Sequence, residues 1–292
     1  MFMRPAVAGR INCHEVIDMR FALLGGDRRC VYLYELLRAD GHAVTPFALE
    51  RALPDCAPDA AAAVAGAEVI LLPVPCEKNG ALFAPFSAAA RAVSPLLTDV
   101  APGTRVFAGG APECLRAACR RGGLPLTDYL RREDFALRNA DITAEAALAL
   151  LMQGDGALRG QRVLLAGFGR IARCLAPKLL ALGAEVTVWA RRPEARTQAA
   201  LLGCHAVRAL PAGETFDAAV NTVPATIFGP AELEALGGAR LLELASAPYG
   251  FDLTAAEALG KNVEMCPGLP GTYAPRAAAA AMRDVIYSVL ED

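Results

Sequence analysis

The sequence is short of the residues that build metal sites and disulfide frameworks. Its 292 residues include three histidines and nine cysteines, with no Cys-x-x-Cys pair and no Cys/His cluster at zinc spacing. An odd number of scattered cysteines is typical of reduced thiols, most of them small core residues. The sequence therefore predicts no metal site and no disulfide scaffold, and it favours a cytoplasmic protein.

The few histidines also weaken one catalytic hypothesis. His14 is near the N-terminus, while His42 and His205 stand just after glycines that end predicted helices and lead into predicted strands. We interpret both as structural turn residues. A dehydrogenase that relies on a histidine general base, as many 2-hydroxy-acid enzymes do, has no obvious candidate here.

Excess charge and long apolar runs are missing as well. The formal net charge is −2, so no basic field favours nucleic acid or an anionic membrane. No run of about 18 or more apolar residues predicts a membrane span. Residues 1–18 lack the apolar core of about 7–15 residues that a secretory signal carries, so we predict a disordered extension or an upstream start, without assigned function.

What the chain does contain is a strand, glycine turn, helix and strand over residues 162–192. The apolar residues 163–166 predict a buried strand, and Gly167-Phe168-Gly169-Arg170-Ile171-Ala172 follows. The first glycine allows a tight turn, the second lets a pyrophosphate reach the backbone, and the third small residue lets the helix pack on the strand. The helix N-terminus then offers N–H groups and a positive dipole end to phosphates. This pattern predicts a dinucleotide site.

The end of the second strand favours NADP over NAD. An NAD site carries Asp or Glu about 20 residues beyond the glycines, where this chain has Ala190-Arg191-Arg192. Two guanidinium groups suit a 2′-phosphate, although a solvated arginine pair is the alternative. Later strands end at Asn221-Thr222-Val223-Pro224 and at Ala245. Because ligands of open α/β sheets lie beyond the carboxyl ends of the strands, we predict these residues along the cofactor path.

Strand and helix patterns alternate through the rest of the chain, beginning with a turn at Gly25-Gly26. They predict an α/β fold of two Rossmann-like domains with parallel sheets, separated by a cleft, with the C-terminal helix packing back on the first domain. The predicted divisions are the extension 1–18, a substrate domain of 19–140 joined by 275–292, and an NADP domain of 141–274 with its connector helix.

Three local predictions accompany this organisation. A helix is expected within residues 85–97. Asp141 or Thr143 is expected to cap a connector helix over residues 144–152. Two Pro-Gly-type turns predict a rigid loop over residues 267–276, ahead of the closing helix.

Several motifs taken together resemble one known family. They are Gly25-Gly26-Asp27-x-Arg29, Arg132-x-Asp134, Asn139 with Thr143-x-Glu145, Gly167-x-Gly169-Arg170, Asn221-Thr222-x-Pro224, and Pro267-Gly268-Leu269-Pro270-Gly271 with Ala274-Pro275. From about Met19 onward the chain resembles the A subunit of dipicolinate synthase. The Pro-Gly-Leu-Pro-Gly and Gly-Gly-Asp elements are more specific than the glycine fingerprint.

The resemblance implies an NADP-dependent oxidoreductase of a sporulating bacterium. The implied reaction oxidises a dihydro- or hydroxytetrahydrodipicolinate ring, an intermediate of lysine synthesis, to pyridine-2,6-dicarboxylate in the mother cell. The flavoprotein-like B subunit of dipicolinate synthase is the implied partner, and the substrate is a small dicarboxylate. We also expect a homo-oligomer and neither nucleic acid nor membrane as a partner.

A ring with two carboxylates requires two anion anchors and a base, but no metal. We expect Arg29 to hold one carboxylate, and Arg132 or Arg276 to hold the other. Asp134 or Glu145 would take a proton as a hydride leaves the ring, which works best if burial raises the pKa of that carboxyl. The predicted catalytic set is Asp27, Arg29, Arg132, Asp134, Thr143, Glu145 and Arg276.

Two other interpretations stay open. One is a different two-domain NADP dehydrogenase, of the 2-hydroxy-acid or shikimate type. The other is a non-catalytic NADP-binding protein that serves as a scaffold for the B subunit. Turnover with the different substrate classes, with and without the B subunit, distinguishes them.

Overall fold

The computed structural model describes residues 18–153 and 157–291, so nearly all of the predicted N-terminal extension lies outside the described residues. The chain separates into two compact units. Unit 1 is Met1–Phe135 with Ala279–Asp292, and unit 2 is Ala136–Ala278. Among the described helices, none combines the length and the apolar character needed to cross a membrane.

Strands and helices alternate along the described chain. The strands are β1 (Arg20–Leu24), β2 (Ala43–Phe47), β3 (Val69–Leu71), β4 (Glu77–Lys78), β5 (Ala81–Leu82), β6 (Arg105–Ala108), β7 (Leu126–Asp128), β8 (Arg162–Ala166), β9 (Glu185–Trp189), β10 (His205–Val207), β11 (Ala218–Asn221), β12 (Arg240–Glu243) and β13 (Val263–Met265). The α-helices are α1 (Arg28–Ala39), α2 (Ala60–Val64), α3 (Glu113–Gly122), α4 (Glu133–Leu151), α5 (Arg170–Ala181), α6 (Pro193–Leu201), α7 (Pro230–Ala235), α8 (Leu253–Ala258), α9 (Leu269–Tyr273) and α10 (Pro275–Glu291). Short 3-10 helices cover Ser94–Leu97 and Tyr129–Arg131.

Unit 1 contains a five-stranded sheet in the order β2-β1-β3-β6-β7, with every pair parallel. Its central strands are continuous apolar runs, and residues 21–24 and 69–71 are at most 1% exposed. Such runs are expected where a parallel sheet is covered on both faces. The chain order reverses between β1 and β3, which defines the switch point of this sheet.

Unit 2 contains a six-stranded parallel sheet in the order β10-β9-β8-β11-β12-β13. This is the strand order of a dinucleotide-binding Rossmann sheet, with its switch point between β8 and β11. Within β8, Val163 and Leu165 join one apolar core, while Leu164 and Ala166 join the core on the other face. The predicted α/β class with two parallel, Rossmann-like sheets is confirmed.

The closing helix α10 belongs to unit 1 from Ala279 onward, whereas the prediction assigned all of residues 275–292 to the first domain. The Tyr287 hydroxyl donates to the carboxylate of Asp40 at 2.7 Å and lies 2.9 Å from Nε2 of His42. Arg283 also reaches Asp40, at 3.3 Å. His42 is buried, and burial lowers its pKa. Its contacts make it a packing residue between the sheet and α10.

The prediction of a helix over residues 85–97 is wrong. Only a 3-10 turn forms there, after the small hairpin of β4 and β5. Pairing with residues outside the segment explains the difference, because Arg51 N donates to Phe86 O at 3.0 Å and Leu82 N donates to Arg91 O at 2.7 Å. The backbone of this segment is therefore engaged by distant parts of unit 1 rather than by its own turn.

The predicted cap at Asp141 or Thr143 is also wrong, since α4 begins at Glu133 and is continuous to Leu151. Both residues lie inside the helix. The Thr143 hydroxyl donates to the carbonyl of Asn139 at 2.7 Å, a local bond that threonine makes within helices.

The Pro-Gly stretch is more helical than predicted. Residues 269–273 form α9, whose N-cap is Gly268 at φ +66° and whose first turn contains Pro270. A proline there loses no hydrogen bond, because the first N–H groups of a helix have no intrahelical partner. Pro275 begins α10 in the same way.

Candidate functional site

A cavity of about 500 Å³ lies at the carboxyl edge of the unit 2 sheet, bordered by the turns that follow β8, β9, β10 and β11. Ligands of open α/β sheets bind at this edge, beside the switch point. Most of the predicted cofactor residues line it, namely Gly167, Phe168, Gly169, Ala190, Arg191, Arg192, Thr222, Val223 and Pro224. Their contact with a cofactor stays a prediction.

The two glycines of the turn after β8 have different surroundings. Gly167 has φ +86°, and an added Cβ would meet Val223 at 2.7 Å and Thr222 at 2.9 Å. At Gly169, by contrast, an added Cβ would find no atom of the described residues within 4 Å. Gly169 is the N-cap of α5 and has no side chain to bond the first N–H groups of that helix. The helix N-terminus thus faces open space of the kind that a phosphate group occupies.

The opposite side of the cavity is positively charged. The Arg196 guanidinium donates to the carbonyls of Ala190 and Arg191, at 2.9 and 2.7 Å, and so holds the turn after β9 in place. Arg191 and Arg192 are exposed, and Arg192 lies 3.6 Å from Glu194. This turn can present guanidinium groups to an anionic part of a ligand.

Four predicted cofactor residues do not line the cavity. Arg170 is exposed on the first turn of α5, and Ile171 packs against the apolar core. The side chain of Asn221 is fully buried and donates to the carboxylate of Glu243. Ala245 lies in the turn after β12, where its N–H donates to Glu243.

Glu243, a carboxylate only 1% exposed at the end of β12, was not predicted as a site residue. It accepts hydrogen bonds from Nδ2 of Asn221 at 2.6 Å and from the N–H of Ala245 at 2.9 Å. Its second oxygen accepts from Gly250 N at 2.8 Å and Phe251 N at 3.2 Å. A buried carboxylate is retained when several donors satisfy it. The signal in the sequence was an acidic residue within an otherwise apolar strand.

In unit 1, the predicted anchor Arg29 is already paired. Its Nε and Nη2 atoms contact the Asp27 carboxylate at 2.9 and 2.8 Å, and Nη2 also donates to the Val74 carbonyl. The side chain of Arg29 is only 9% exposed. Asp27 is at the same time the N-cap of α1 and accepts from Arg29 N. The chain's own carboxylate thus occupies the position where a substrate carboxylate was expected.

Arg132 and Asp134 form a second bidentate pair, with N···O distances of 3.0 and 2.8 Å. The hydrogen bond from Arg132 lowers the pKa of Asp134. This is the opposite direction from the raised pKa that we expected of a catalytic base.

The remaining predicted catalytic residues lie in or beside unit 2. Thr143 is buried within α4, and Glu145 is exposed on the same helix, 3.9 Å from the Lys178 ammonium. Arg276 is the exposed second residue of α10. Within the described ranges, no group of three or more His, Cys, Asp or Glu residues is placed to hold a metal ion. The catalytic roles stay predictions.

Two family models match consecutive parts of the chain. Residues 20–130 match the N-terminal domain of the dipicolinate synthase A subunit, and residues 134–228 match the NAD binding domain of D-isomer specific 2-hydroxyacid dehydrogenase. With the strand order and cavity of unit 2, this identifies an NAD(P)-binding domain of the dehydrogenase type and supports an oxidoreductase.

A more specific likeness comes from individual relatives. The chain is 31% identical over 192 residues to the dipicolinate synthase A subunit of Bacillus subtilis (strain 168). That alignment covers 64% of this chain and 65% of the relative, slightly less than two thirds of its length. The resemblance that the motifs indicate is confirmed.

Solved structures share the fold of the whole chain. The dipicolinate synthase A subunit from Bacillus halodurans has a TM-score of 0.81 at 24% identity, covering 94% of this chain and 98% of that one. D-lactate dehydrogenase from Escherichia coli has a TM-score of 0.61 at 15% identity, covering 94% and 97%.

Proposed function

We propose that this chain is the NADP-dependent A subunit of a dipicolinate synthase, acting in the mother cell of a sporulating bacterium. It oxidises a dihydrodipicolinate ring, or a hydroxytetrahydrodipicolinate ring with loss of water, to pyridine-2,6-dicarboxylate. The observation that carries the proposal is the 31% identity over 192 residues to the Bacillus subtilis protein. That similarity also implies a partner, for which we propose the flavoprotein-like B subunit of the synthase, and we propose a homo-oligomer for this chain itself.

The residues of the cavity fit NADP. Gly169 and the N-terminus of α5 suit the pyrophosphate, and Arg191 and Arg192 suit a 2′-phosphate. A bound nicotinamide supplies the hydride acceptor, and aromatisation of the substrate ring supplies the driving force. The chain therefore has to position the ring and remove a proton.

We propose that residues 19–140, joined by 275–292, bind the diacid. Arg29 and Arg132 already show the bidentate carboxylate geometry that a ring carboxylate requires, with Asp27 and Asp134 as their present partners. Arg276 is the alternative second anchor. A substrate carboxylate at either arginine takes the place of the internal one.

The base is proposed to be Asp134 or Glu145. The lowered pKa of Asp134 keeps this carboxylate ionised at neutral pH, so it can accept a proton, although Arg132 weakens it as a base. Glu145 is more exposed, at 59% of its side chain, and is the alternative.

The test is turnover by the purified chain with NADP and the ring substrate, with and without the B subunit. We expect one mole of reduced nicotinamide for each mole of pyridine product, which is followed by its near-ultraviolet absorbance. Arg29→Ala should raise the KM for the ring while the Kd for NADP is unchanged. A variant that loses NADP binding would contradict the role of Arg29, and tight NADP binding without product in either case would favour the scaffold.

A 2-hydroxy-acid dehydrogenase is the second candidate, favoured by the domain match over residues 134–228. The positions of the described histidines count against it. His42 is buried against Tyr287, and His205 is the first residue of β10, at the strand end opposite to the cavity edge. NADP reduction by D-2-hydroxy acids but not by the ring diacid would establish this candidate instead.

A further inference from the structure

The cavity of unit 2 is lined by three charged residues, and all three are arginines. They are Arg191 and Arg192, in the turn after β9, and Arg208, directly after β10. Among the described residues, no Asp or Glu lines this cavity. A ribose with free hydroxyl groups is matched by an acidic side chain, whereas this lining offers only positive charge.

Arg208 reaches the cavity through strand pairing. β10 lies parallel to β9 with Val207 opposite Trp189. The residues that follow the two strands, Ala190 and Arg208, therefore lie at the same edge of the sheet. Two hydrogen bonds fix this junction: Ala190 N donates to Val207 O, and Nε1 of Trp189 donates to the carbonyl of Arg208, both at 3.1 Å. The backbone of Arg208 is therefore held beside the turn that carries the other two arginines.

The three arginines differ in their own partners. Arg192 lies 3.6 Å from the Glu194 carboxylate, which offsets part of its charge. In the described ranges, neither Arg191 nor Arg208 has a carboxylate within ion-pair distance. Arg208 therefore adds a charge from a second strand that no acid of the described residues neutralises.

We propose that Arg208 is a specificity-determining residue that contacts the 2′-phosphate of NADP together with Arg191 and Arg192. A phosphate monoester has three acceptor oxygens and a charge of about −1.5 to −2, so guanidinium groups from two directions can bind it at once. The proposal rests on the NADP dependence stated above. It adds that recognition of the phosphate requires β10 and not only the turn after β9.

Binding measurements test this without any turnover. Trp189 lines the cavity and is the only tryptophan of the chain, so its fluorescence reports occupancy. The full chain is titrated with NADP and NAD, and with the fragments 2′-AMP and 5′-AMP. The variants are Arg208→Ala, Arg208→Lys and the double variant Arg191→Ala/Arg192→Ala, with Arg121→Ala, an exposed arginine of α3, as the matched control.

We expect Arg208→Ala to weaken NADP and 2′-AMP by about 10- to 30-fold, because a charge-assisted contact is lost, while the Kd of NAD changes by less than about twofold. Arg208→Lys should recover part of this loss, and Arg121→Ala should match the wild type. Equal weakening of NADP and NAD, or no weakening of either, would overturn the role of Arg208.

The outcomes separate this inference from the proposed cofactor. If the wild type prefers NADP and only the double variant loses that preference, Arg208 is excluded while the NADP proposal stands. If the wild type binds NAD as tightly as NADP, the NADP proposal itself fails, and the role of Arg208 fails with it.

Discussion

Both units place a glycine turn and a twelve-residue helix at the switch point of a parallel sheet. The two turns differ in whether a side chain bonds the N-terminus of the helix. After β1, Asp27 caps α1 and pairs with Arg29, and the N–H of Gly26 is bonded by the Phe83 carbonyl. After β8, the cap of α5 is Gly169, which has no side chain, and a cavity lies in front of it. One helix N-terminus is satisfied by the chain itself, and the other is available to an anion.

The glycines of the two turns serve opposite purposes. An added Cβ at Gly26 would lie 2.2 Å from Sγ of Cys30, whereas at Gly169 it would meet no atom of the described residues within 4 Å. Gly26 is required by the packing of the chain, while no atom of the described residues restricts the residue type at Gly169. The turn after β8 is therefore open to an anion as it stands, whereas at the turn after β1 an anion would have to displace the Asp27 carboxylate from Arg29.

The largest effect is expected when the side chain of Asp27 is removed from the turn after β1. Asp27→Ala removes the partner of Arg29, whose side chain is 9% exposed, and should lower the free energy of unfolding by about 3 kcal/mol, because a largely buried charge is left unpaired. Loss of the N-cap contributes about 1 kcal/mol of this. Denaturant unfolding of the full chain measures the change.

Asp27→Asn separates the two contributions, because asparagine still caps a helix but does not carry the charge. We expect it to lose most of the stability that Asp27→Ala loses. If both variants are as stable as the wild type, Asp27 does not hold unit 1 together and the contrast between the turns disappears.

The second-largest effect is expected when a side chain is added to the turn after β8. Gly169→Asp places a carboxylate at the N-cap of α5, as Asp27 does for α1. Steric exclusion and charge repulsion of the pyrophosphate should weaken NADP by at least about 100-fold, or about 2.8 kcal/mol. The free energy of unfolding should stay the same or rise by up to about 1 kcal/mol, because Asp is a preferred N-cap.

Trp189 fluorescence measures the Kd of this variant, and Gly169→Ser serves as a neutral, smaller control with a milder loss of affinity. Unchanged NADP affinity in Gly169→Asp would show that the cofactor does not bind across this turn.

The sequence predicted the parts of the fold that depend on local patterns. A continuous apolar run located β8, and the spacing of Gly167 and Gly169 located the turn, because both signals are complete within a few residues. The alternation of strands and helices also predicted that the sheet of unit 2 is parallel.

What the sequence could not predict depends on segments far apart in the chain. Arg208 lies at the cavity only because β10 pairs with β9. Arg29 was expected to be open to substrate. Whether Asp27 pairs with it depends on side-chain geometry rather than on the spacing of the two residues in the sequence. The helix predicted over residues 85–97 failed for the same reason, since backbone bonds from Arg51 and Leu82 replace its local ones.

The smallest effect is expected at the turn after β6. A carboxylate of unit 1 bonds the backbone of this turn too. Asp128 accepts from Gly110 N at 2.9 Å and Ala111 N at 3.1 Å, and pairs with Arg116 at 2.5 Å. Burial by itself raises the pKa of Asp128, but these hydrogen bonds outweigh it, and its pKa lies below the ordinary value. A lowered pKa in the folded state means that Asp128 stabilises the protein above the unfolded value of about 3.9, and that this contribution is lost as the pH falls through the folded value.

Asp128→Asn should therefore be less stable than the wild type by about 1–2 kcal/mol near pH 7, because the charge-assisted bonds are lost. The difference should narrow as the pH falls below about 4, because the carboxyl of the unfolded wild type then takes up its proton, and it should vanish only below the lowered pKa of the folded state. Denaturant unfolding of both proteins across this range measures the difference, with Asp59→Asn, an exposed N-cap of α2, as the control whose offset should be smaller. If the difference stays constant or widens toward acid pH, the ionised form of Asp128 does not stabilise the turn after β6. The turns of unit 1 are then stabilised by packing rather than by its own carboxylates.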